Sequence, residues 1–356
     1  MSTETTLPCE SINSMLYACS HPELKNSLAG VYITTNETEV EKSRQALSKK
    51  PINPIGCHIG FSGWHNFNIM ATRRSQAGLI VDYNPNNKVF IELTILCLKN
   101  TSSRLEFLKM AKDACSKIQK NHPDFFSPNI NPTRFQLSPE EEIEAESTLE
   151  CSWLSSDTSF AHIQNLAHHE RIVAITEDIR QTDSFSKIVK IYHSVGFSID
   201  TVYVSNICDY MMSKEDRENY THTLHSLLDH DTTLIDCPTR KTYQETIIRL
   251  EQRVSSLEEL LSKDPKELFE YSSDSLESTQ TTISTPRTDT SEEDGVENSS
   301  AAIDSPPQTS VIIEEIKEEE QDTPLTPYRG KIRVRSPEEL TAKHYNVKRA
   351  KLDPDV

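Results

Sequence analysis

The chain has 356 residues, of which 35% are hydrophobic, and it carries a formal net charge of −18 at pH 7. This length suits one α/β domain of ordinary size with appendages, and the hydrophobic content is too low for the whole chain to fold. Much of the acidity is local, because residues 264–330 carry a net charge of −13 and residues 331–356 carry +3. The remainder is mildly acidic and gives no indication of a nucleic-acid-binding surface on the folded part.

The spacing of cysteines and the hydropathy of the chain further narrow the classes of protein to which it can belong. Eight cysteines are scattered without a Cys-x-x-Cys pair, which favours free thiols in a reducing compartment over a disulfide framework. The first residues lack the basic and apolar regions of a secretory signal peptide. No apolar run approaches the roughly 18 residues of a membrane span, so we expect no such helix. His222 and His225 lie on a predicted helix without a third ligand, so no metal site is predicted.

The chain begins with two short predicted elements. Residues 1–24 are expected to form a short helix or arm, because Ile12, Leu16 and Cys19 follow helical spacing. The β-branched run Val31–Thr35 predicts a strand or a segment that leads into a sheet.

The most informative pattern covers residues 55–87. It predicts a strand, a tight turn containing Gly60, Ser62 and Gly63, a short helix, and a second strand that ends at Asp82. In a Rossmann-like unit, small residues let the backbone approach a ligand, and the acid accepts ribose hydroxyls. Asp82 follows Gly60 by 22 residues, close to the spacing that such a unit requires. The pattern predicts either a nucleotide or S-adenosylmethionine site, or a plain βαβ turn without a ligand.

Three helices are predicted after this unit. Val89–Leu98 is almost wholly apolar and too long for a strand, so it should be a buried helix. Ser102–Ile118 has amphipathic helical spacing. A charged helix is expected from Pro139 to about Trp153, with Ser138 as its N-cap and Glu141 in a capping box.

A second strand–helix–strand block follows. Arg171–Asp178 predicts a strand, Phe185–Val195 a helix closed by Gly196, and Ile199–Asn206 a further strand. Alternation of strands and helices favours a parallel sheet that is covered on both faces and binds ligands at the carboxyl ends of its strands. Three of these predicted ends are polar: Asp82, Asp178 and Asn206.

The C-terminal third changes in character. A heptad seam is formed by Tyr243, Ile247, Leu250, Val254, Leu257 and Leu261. It predicts either a single helix docked on the domain or a homodimeric coiled coil through residues 243–261. We therefore expect an arm (1–24), a Rossmann-like α/β domain with a mostly parallel sheet and flanking helices (25–240), a heptad-patterned helix (241–270), and a disordered acidic tail (271–356).

Short motifs lie in the tail. Val347–Asp353 resembles a monopartite nuclear import signal, in which Lys348, Arg349 and Lys351 would occupy the acidic, tryptophan-lined groove of importin-α. The alternative is a basic end that merely balances an acidic tail.

A second tail motif concerns SUMO. The aliphatic run Val311, Ile312 and Ile313, followed by acids, resembles a SUMO-interacting strand, and Lys317 matches the SUMO-acceptor pattern. Both patterns are short enough to arise by chance.

Residues from about 31 to 211 resemble a bacterial family of uncharacterised proteins with a Rossmann-type, methyltransferase-like core. The family's G-x-G-x-x-Q-N-F loop and I-V-D-I strand are matched by Gly60–Phe67 and Leu79–Tyr83. Its S-R-x-E-F-L, tyrosine-leucine-serine, G-D and Y-x-S-N-V-E-x-Y segments are matched in order by Ser103–Leu108, Trp153–Ser156, Thr176–Asp178 and Tyr203–Tyr210. Ser62 and Glu177 each replace a family glycine, and the larger Glu177 could fill a cofactor cleft.

The resemblance implies a site for S-adenosylmethionine. It brings the loop residues Gly60, Ser62, Gly63 and Asn66 to the cofactor, Asp82 to its ribose, Asp178 near its base and Asn206 near the methyl acceptor. The core could be an active S-adenosylmethionine-dependent methyltransferase, or it could be degenerate and bind a partner.

The combination of a bacterial-type core and a nuclear import signal suggests an effector that a bacterium delivers into a host cell. The Glu-rich block at residues 314–320 is similar to signals for type IV secretion. The expected destination is the host nucleus, and the alternative is the cytoplasm.

We predict that alanine replacement of Lys348, Arg349 and Lys351 lowers the nuclear-to-cytoplasmic ratio of the protein fused to a large fluorescent cargo. The triple variant removes the cations that importin-α would bind as a set. Equal ratios for the variant and the wild type would show that the basic end only balances charge.

Overall fold

The computed structural model describes residues 9–22, 24, 30–128, 134, 136–237, 239–240, 249–250, 252–256, 312–314 and 333–335. The chain divides into two compact units, Met1–Tyr271 and Ser272–Val356.

The first unit alternates helices and strands. Its helices are α1 (Cys9–Tyr17), α2 (Val40–Lys49), α3 (His65–Arg73), α4 (Pro85–Lys99), α5 (Arg104–Asn121), α6 (Pro139–Thr148), α7 (Asp157–His168), α8 (Thr182–Ser194) and α9 (Lys214–Leu227), with a 3₁₀ turn at Ile207–Tyr210. Its strands are β1 (Gly56–Phe61), β2 (Ala77–Asp82), β3 (Ile172–Thr176), β4 (Ser198–Ser205), β5 (Thr233–Asp236), β6 (Thr239–Arg240), β7 (Arg249–Leu250) and β8 (Arg253–Ser256).

A six-stranded sheet in the order β3-β2-β1-β4-β5-β8 forms the centre of this unit. The first five strands are parallel, and β8 pairs antiparallel with β5. The order 3-2-1-4-5 is that of a Rossmann fold, so the predicted Rossmann-like sheet with flanking helices is confirmed. The carboxyl ends of β1 to β5 share one edge of the sheet.

Helices cover both faces of the sheet, as near-continuous apolar strands require. Every residue of β1 is buried. Its alternate side chains Cys57, Ile59 and Phe61 join a core made with α1, α8 and α9. The other face carries an aromatic cluster in which Trp64, Phe107 and Trp153 lie with ring centroids 5.2–5.9 Å apart.

Several local predictions are confirmed. Ser138 and Glu141 form a reciprocal capping box at the start of α6, and Gly196 has a φ of 83° just after α8. The apolar run after residue 88 is helical within α4. Seven described cysteines are free thiols. No helix in the described part of the chain is long and apolar enough to cross a membrane.

The predicted heptad helix is wrong where the structure describes it. Leu250 lies in β7 and Val254 in β8, whereas Tyr243, Ile247, Leu257 and Leu261 lie outside the described residues. Residues spaced by four share a face of a strand as well as of a helix. The edge of β5 offers backbone hydrogen bonds that a docked helix could not use, and Val254 pairs there with Ile235.

The segment at residues 31–35 leads into the sheet and is not one of its strands. Val31 forms an isolated bridge with Phe126, in which the Val31 amide donates to the Phe125 carbonyl at 2.7 Å. The segment then crosses the start of α3, where the Trp64 amide donates to the Ile33 carbonyl at 3.1 Å.

In the second unit, the described residues form two antiparallel strands, β9 (Ile312–Glu314) and β10 (Arg333–Arg335). β9 includes two residues of the SUMO-interacting pattern. Val311 and Lys317, and the import residues Lys348, Arg349 and Lys351, lie outside the described residues. Predictions for these tail residues stay predictions.

We predict that Val254→Asp lowers the free energy of unfolding by about 1–3 kcal/mol. Val254 packs against buried Leu47, Ile69 and Ile235, and a carboxylate there would lose hydration. Urea unfolding measures the effect. The control is Leu105→Asp, because Leu105 is 73% exposed. Equal stability of the two variants would contradict the placement of β8.

Candidate functional site

A cavity of about 450 Å³ lies at the carboxyl ends of the parallel strands. Its size falls within the range of small-molecule sites, roughly 300–1,000 Å³. Five of the seven predicted cofactor-binding residues line it: Ser62, Gly63, Asp82, Asp178 and Asn206. Gly60, within β1, and Asn66, in the first turn of α3, do not line it.

Asn66 holds the loop that follows β1. Its Nδ2 donates to three successive backbone carbonyls, of Phe61 at 2.9 Å, Ser62 at 3.2 Å and Gly63 at 2.8 Å. Its Oδ1 lies 3.0 Å from Nε2 of His58. Burial lowers the pKa of His58 to about 4, so this histidine is neutral and donates from Nε2 to Asn66.

Gly60 and Gly63 lack side chains because other groups of the protein pack closely against them. A Cβ at Gly60 would overlap Asn66 Oδ1 and His58 Nε2, and a Cβ at Gly63 would overlap the Tyr32 carbonyl oxygen. The Ile33 carbonyl and the Gly63 carbonyl already accept from the first amides of α3, those of Trp64 and Asn66. Two amides at the start of α3 are therefore bonded to the protein, whereas a dinucleotide-binding loop would leave such amides free for a pyrophosphate.

Asp82 faces the cavity from the end of β2. Its Oδ1 accepts from the Asn84 amide at 2.8 Å. Burial raises the pKa of Asp82 to about 6, although the amides of Asn84, Ser62 and Tyr83 favour the charged form. The carboxylate is therefore ionised at neutral pH, with capacity to accept hydroxyl groups from a ligand.

Asp178 is engaged by a neighbouring cation. Nε of Arg180 lies 2.9 Å from Oδ1 of Asp178, and Nη2 lies 2.6 Å from Oδ2. The same guanidinium donates to Asp216 at 2.7 Å. The hydrogen bonds that Arg180 donates to Asp178, and then those to Asp216, raise the pKa of Arg180. Arg180 thus ties the end of β3 to α9, and its charge is balanced by two carboxylates.

Glu177 leaves the cavity open. Its side chain is fully buried, Oε2 lies 2.6 Å from Nδ1 of His21, and Oε1 accepts from the Asp178 amide at 2.8 Å. Both carboxylate oxygens therefore have partners in the protein. The cavity keeps its volume of about 450 Å³ with the Glu177 side chain present in its wall.

The wall of the cavity is acidic. Its described lining residues include three carboxylates, those of Asp82, Glu177 and Asp178, and one permanently charged guanidinium, that of Arg180. His65 also lines it, but burial lowers the pKa of His65 to about 3, so it is uncharged. In the part of the chain that the structure describes, no group of three or more His, Cys, Asp or Glu residues could hold a metal ion.

Sequence reasoning missed much of the wall, namely Tyr32, Thr34, Thr35, Asn36, His65, Arg180, Tyr203, Ser205 and Tyr210. The first four belong to the segment that crosses α3, and its β-branched composition indicated only a neighbour of the sheet. The one sequence signal for Tyr203, Ser205 and Tyr210 was the match of Tyr203–Tyr210 to a segment of the family that the chain resembles.

We predict that Asn66→Asp lowers the free energy of unfolding by about 2–4 kcal/mol, because a carboxylate keeps the shape but faces three carbonyls without a donor. Denaturant unfolding measures the loss. The control is Asn100→Asp, since the Asn100 amide is exposed and donates to one carbonyl. A loss no larger than that of the control would show that Asn66 does not hold the loop.

No curated protein matches the chain. The model of a domain of unknown function (DUF7790) matches residues 32–311, which include β1 to β8 and every residue of the cavity wall. Since this match covers well over half of the chain, the protein belongs to the DUF7790 family.

Proposed function

We propose that the cavity binds S-adenosylmethionine and that the protein transfers its methyl group to an acceptor. The observation that carries the proposal is an acidic cavity at the carboxyl edge of a 3-2-1-4-5 sheet, with an ionised aspartate at the end of β2. An acid at this place in a Rossmann-like fold commonly accepts ribose hydroxyls.

Electrostatics distinguish this ligand from a dinucleotide. A pyrophosphate would face Asp82, Glu177 and Asp178, while the charge of Arg180 is already balanced by Asp178 and Asp216. It would also find the amides of Trp64 and Asn66 already bonded. S-adenosylmethionine carries a ribose and a net positive charge at neutral pH, so the acidic wall favours it over an anionic nucleotide.

The residues of the wall fit the parts of this cofactor. Asp82 would hold the ribose, and the Asn206 amide would hydrogen-bond the acceptor at the end of β4. When bound, the cofactor supplies an electrophilic methyl group on a sulfonium. Asp178 would lie near the base, with its orientation held by Arg180, which partly neutralises its charge.

One reason to expect a degenerate core was that Glu177 could fill the cleft, and the structure leaves about 450 Å³ beside that residue. An open cavity supports ligand binding over a purely partner-binding core. Delivery into a host, nuclear import through importin-α and SUMO contacts stay predictions of the tail sequence.

We predict that isothermal titration calorimetry detects S-adenosylmethionine binding and that Asp82→Asn weakens it by about 1.5–3 kcal/mol, the scale of a hydrogen bond to a charged group. Wild-type affinity should fall as the pH drops through about 6, because protonation of Asp82 removes its charge. Asp183→Asn is the control, since Asp183 is exposed on α8. Undetectable binding to the wild type at millimolar ligand would refute the proposal.

A further inference from the structure

A buried carboxyl group lies one hydrogen bond behind the cavity wall. Glu37 is 3% exposed, and its Oε1 accepts from the Ser205 hydroxyl at 2.6 Å and from the Tyr203 hydroxyl at 2.7 Å. Both hydroxyl-bearing residues line the main cavity, whereas Glu37 does not. The carboxyl group is therefore separated from a bound ligand by a single layer of hydroxyls.

The backbone conformation at Ser205 places its hydroxyl group within hydrogen-bond distance of Glu37. Ser205 ends β4 with a φ of 52°, in the left-handed region that non-glycine residues rarely adopt. Its carbonyl accepts from the Cys237 amide at 2.7 Å. Such a strained position is held by its surroundings, and strained residues occur often at functional sites.

The other side of Glu37 faces a second cavity. This cavity of about 200 Å³ is lined by Glu37 together with Thr35, Asn68, Arg134 and Glu146, and by exposed Glu39 and Leu149 at the surface. Arg134 Nη1 is buried there and has no hydrogen-bond partner among the described residues, although Nη2 pairs with Glu146 at 2.8 Å. A polar cavity with an unused donor can hold water, so Glu37 lies between the ligand cavity and a second cavity that could hold water and that exposed residues line.

Charged and titratable groups surround Glu37 on each side. Burial has the largest effect on the pKa of Glu37 and raises it. Hydrogen bonds from Ser205, Tyr203 and Gln252 lower the pKa, and the nearby charge of Asp236 of β5 raises it. Gln252 also lies 2.7 Å from Nε2 of neutral His65. Together these effects raise the pKa of Glu37 to about 7, which suits a group that exchanges protons near neutral pH.

We propose that Glu37 is the proton acceptor of the main cavity and acts through the Ser205 hydroxyl. This inference rests on the proposed methyl transfer. As an acceptor X–H forms its X–C bond, its proton passes to Ser205 Oγ while the Ser205 hydroxyl proton passes to Glu37 Oε1. The electron pair of the broken S–C bond stays on sulfur. Glu37 then releases the proton to water in the second cavity.

The test is a carbon-13 NMR titration of the full-length protein labelled at its glutamate carboxyl carbons. Ordinary glutamates are ionised above about pH 5.5, so a carboxyl that titrates between pH 5.5 and 8.5 is distinct. We expect one such resonance with a midpoint near pH 7, absent from Glu37→Gln. Ser205→Ala should move the midpoint upward by about one pH unit, because the ionised form loses a donor. Ser48→Ala, at an exposed helix position, should leave it unchanged.

The outcomes separate this proposal from the proposed function. A wild-type protein with no glutamate titrating in that window overturns the role of Glu37, since a carboxyl group that keeps one form throughout cannot take up and release a proton near neutral pH. If Glu37→Gln fails to fold, the wild-type titration still shows whether a glutamate titrates in that window. The resonance is then assigned to Glu37 by the shift of its midpoint in Ser205→Ala. A midpoint that Ser205→Ala does not move also overturns the proposal. Calorimetry with S-adenosylmethionine is a separate readout: Glu37→Gln should bind it within about threefold of the wild type. Absence of binding to either protein refutes methyl transfer, and with it the role of Glu37 in that reaction, whatever the titration shows.

Discussion

The candidate site depends on one buried amide, the side chain of Asn66. It donates to the carbonyls of Phe61, Ser62 and Gly63, so the chain leaves β1 in a tight turn without orphaned acceptors. The close approach of Asn66 explains why residue 60 has no side chain. Because buried carbonyls need partners, removal of this amide would affect both the direction of α3 and the near wall of the cavity.

The same turn determines which ligands the cavity can accept. It brings Gly63 against the Tyr32 carbonyl, and the crossing segment takes the Trp64 amide. The fold thereby keeps the Rossmann topology but uses the anion-binding end of α3 for its own chain. With three carboxylates on the wall and a guanidinium balanced by two of its neighbours, the cavity favours a neutral or cationic ligand.

Buried polar groups behind the wall connect parts of the molecule that are distant in sequence. Glu37 joins the end of β4 to Gln252 just before β8. The antiparallel strand β8 therefore does more than close the edge of the sheet, since it places a donor on the carboxyl group that supports Tyr203 and Ser205. Local patterns carry no trace of this contact, because Glu37 and Gln252 lie 215 residues apart.

The sequence by itself predicted the parallel strands β1 to β4, most helices and the ends of strands where polar residues gather, but not β5, β8 or the order of the strands. Period and capping are local properties, so the Ser138 capping box, the Gly196 helix end and the α4 helix could be read directly. The tertiary structure alone decided that the seam residues Leu250 and Val254 lie in strands, because apolar residues spaced by four fit either element until a partner edge exists. It also decided that Gly60 and Asn66 support the loop and that Arg180 engages Asp178, because such roles depend on which buried donors and acceptors meet in space.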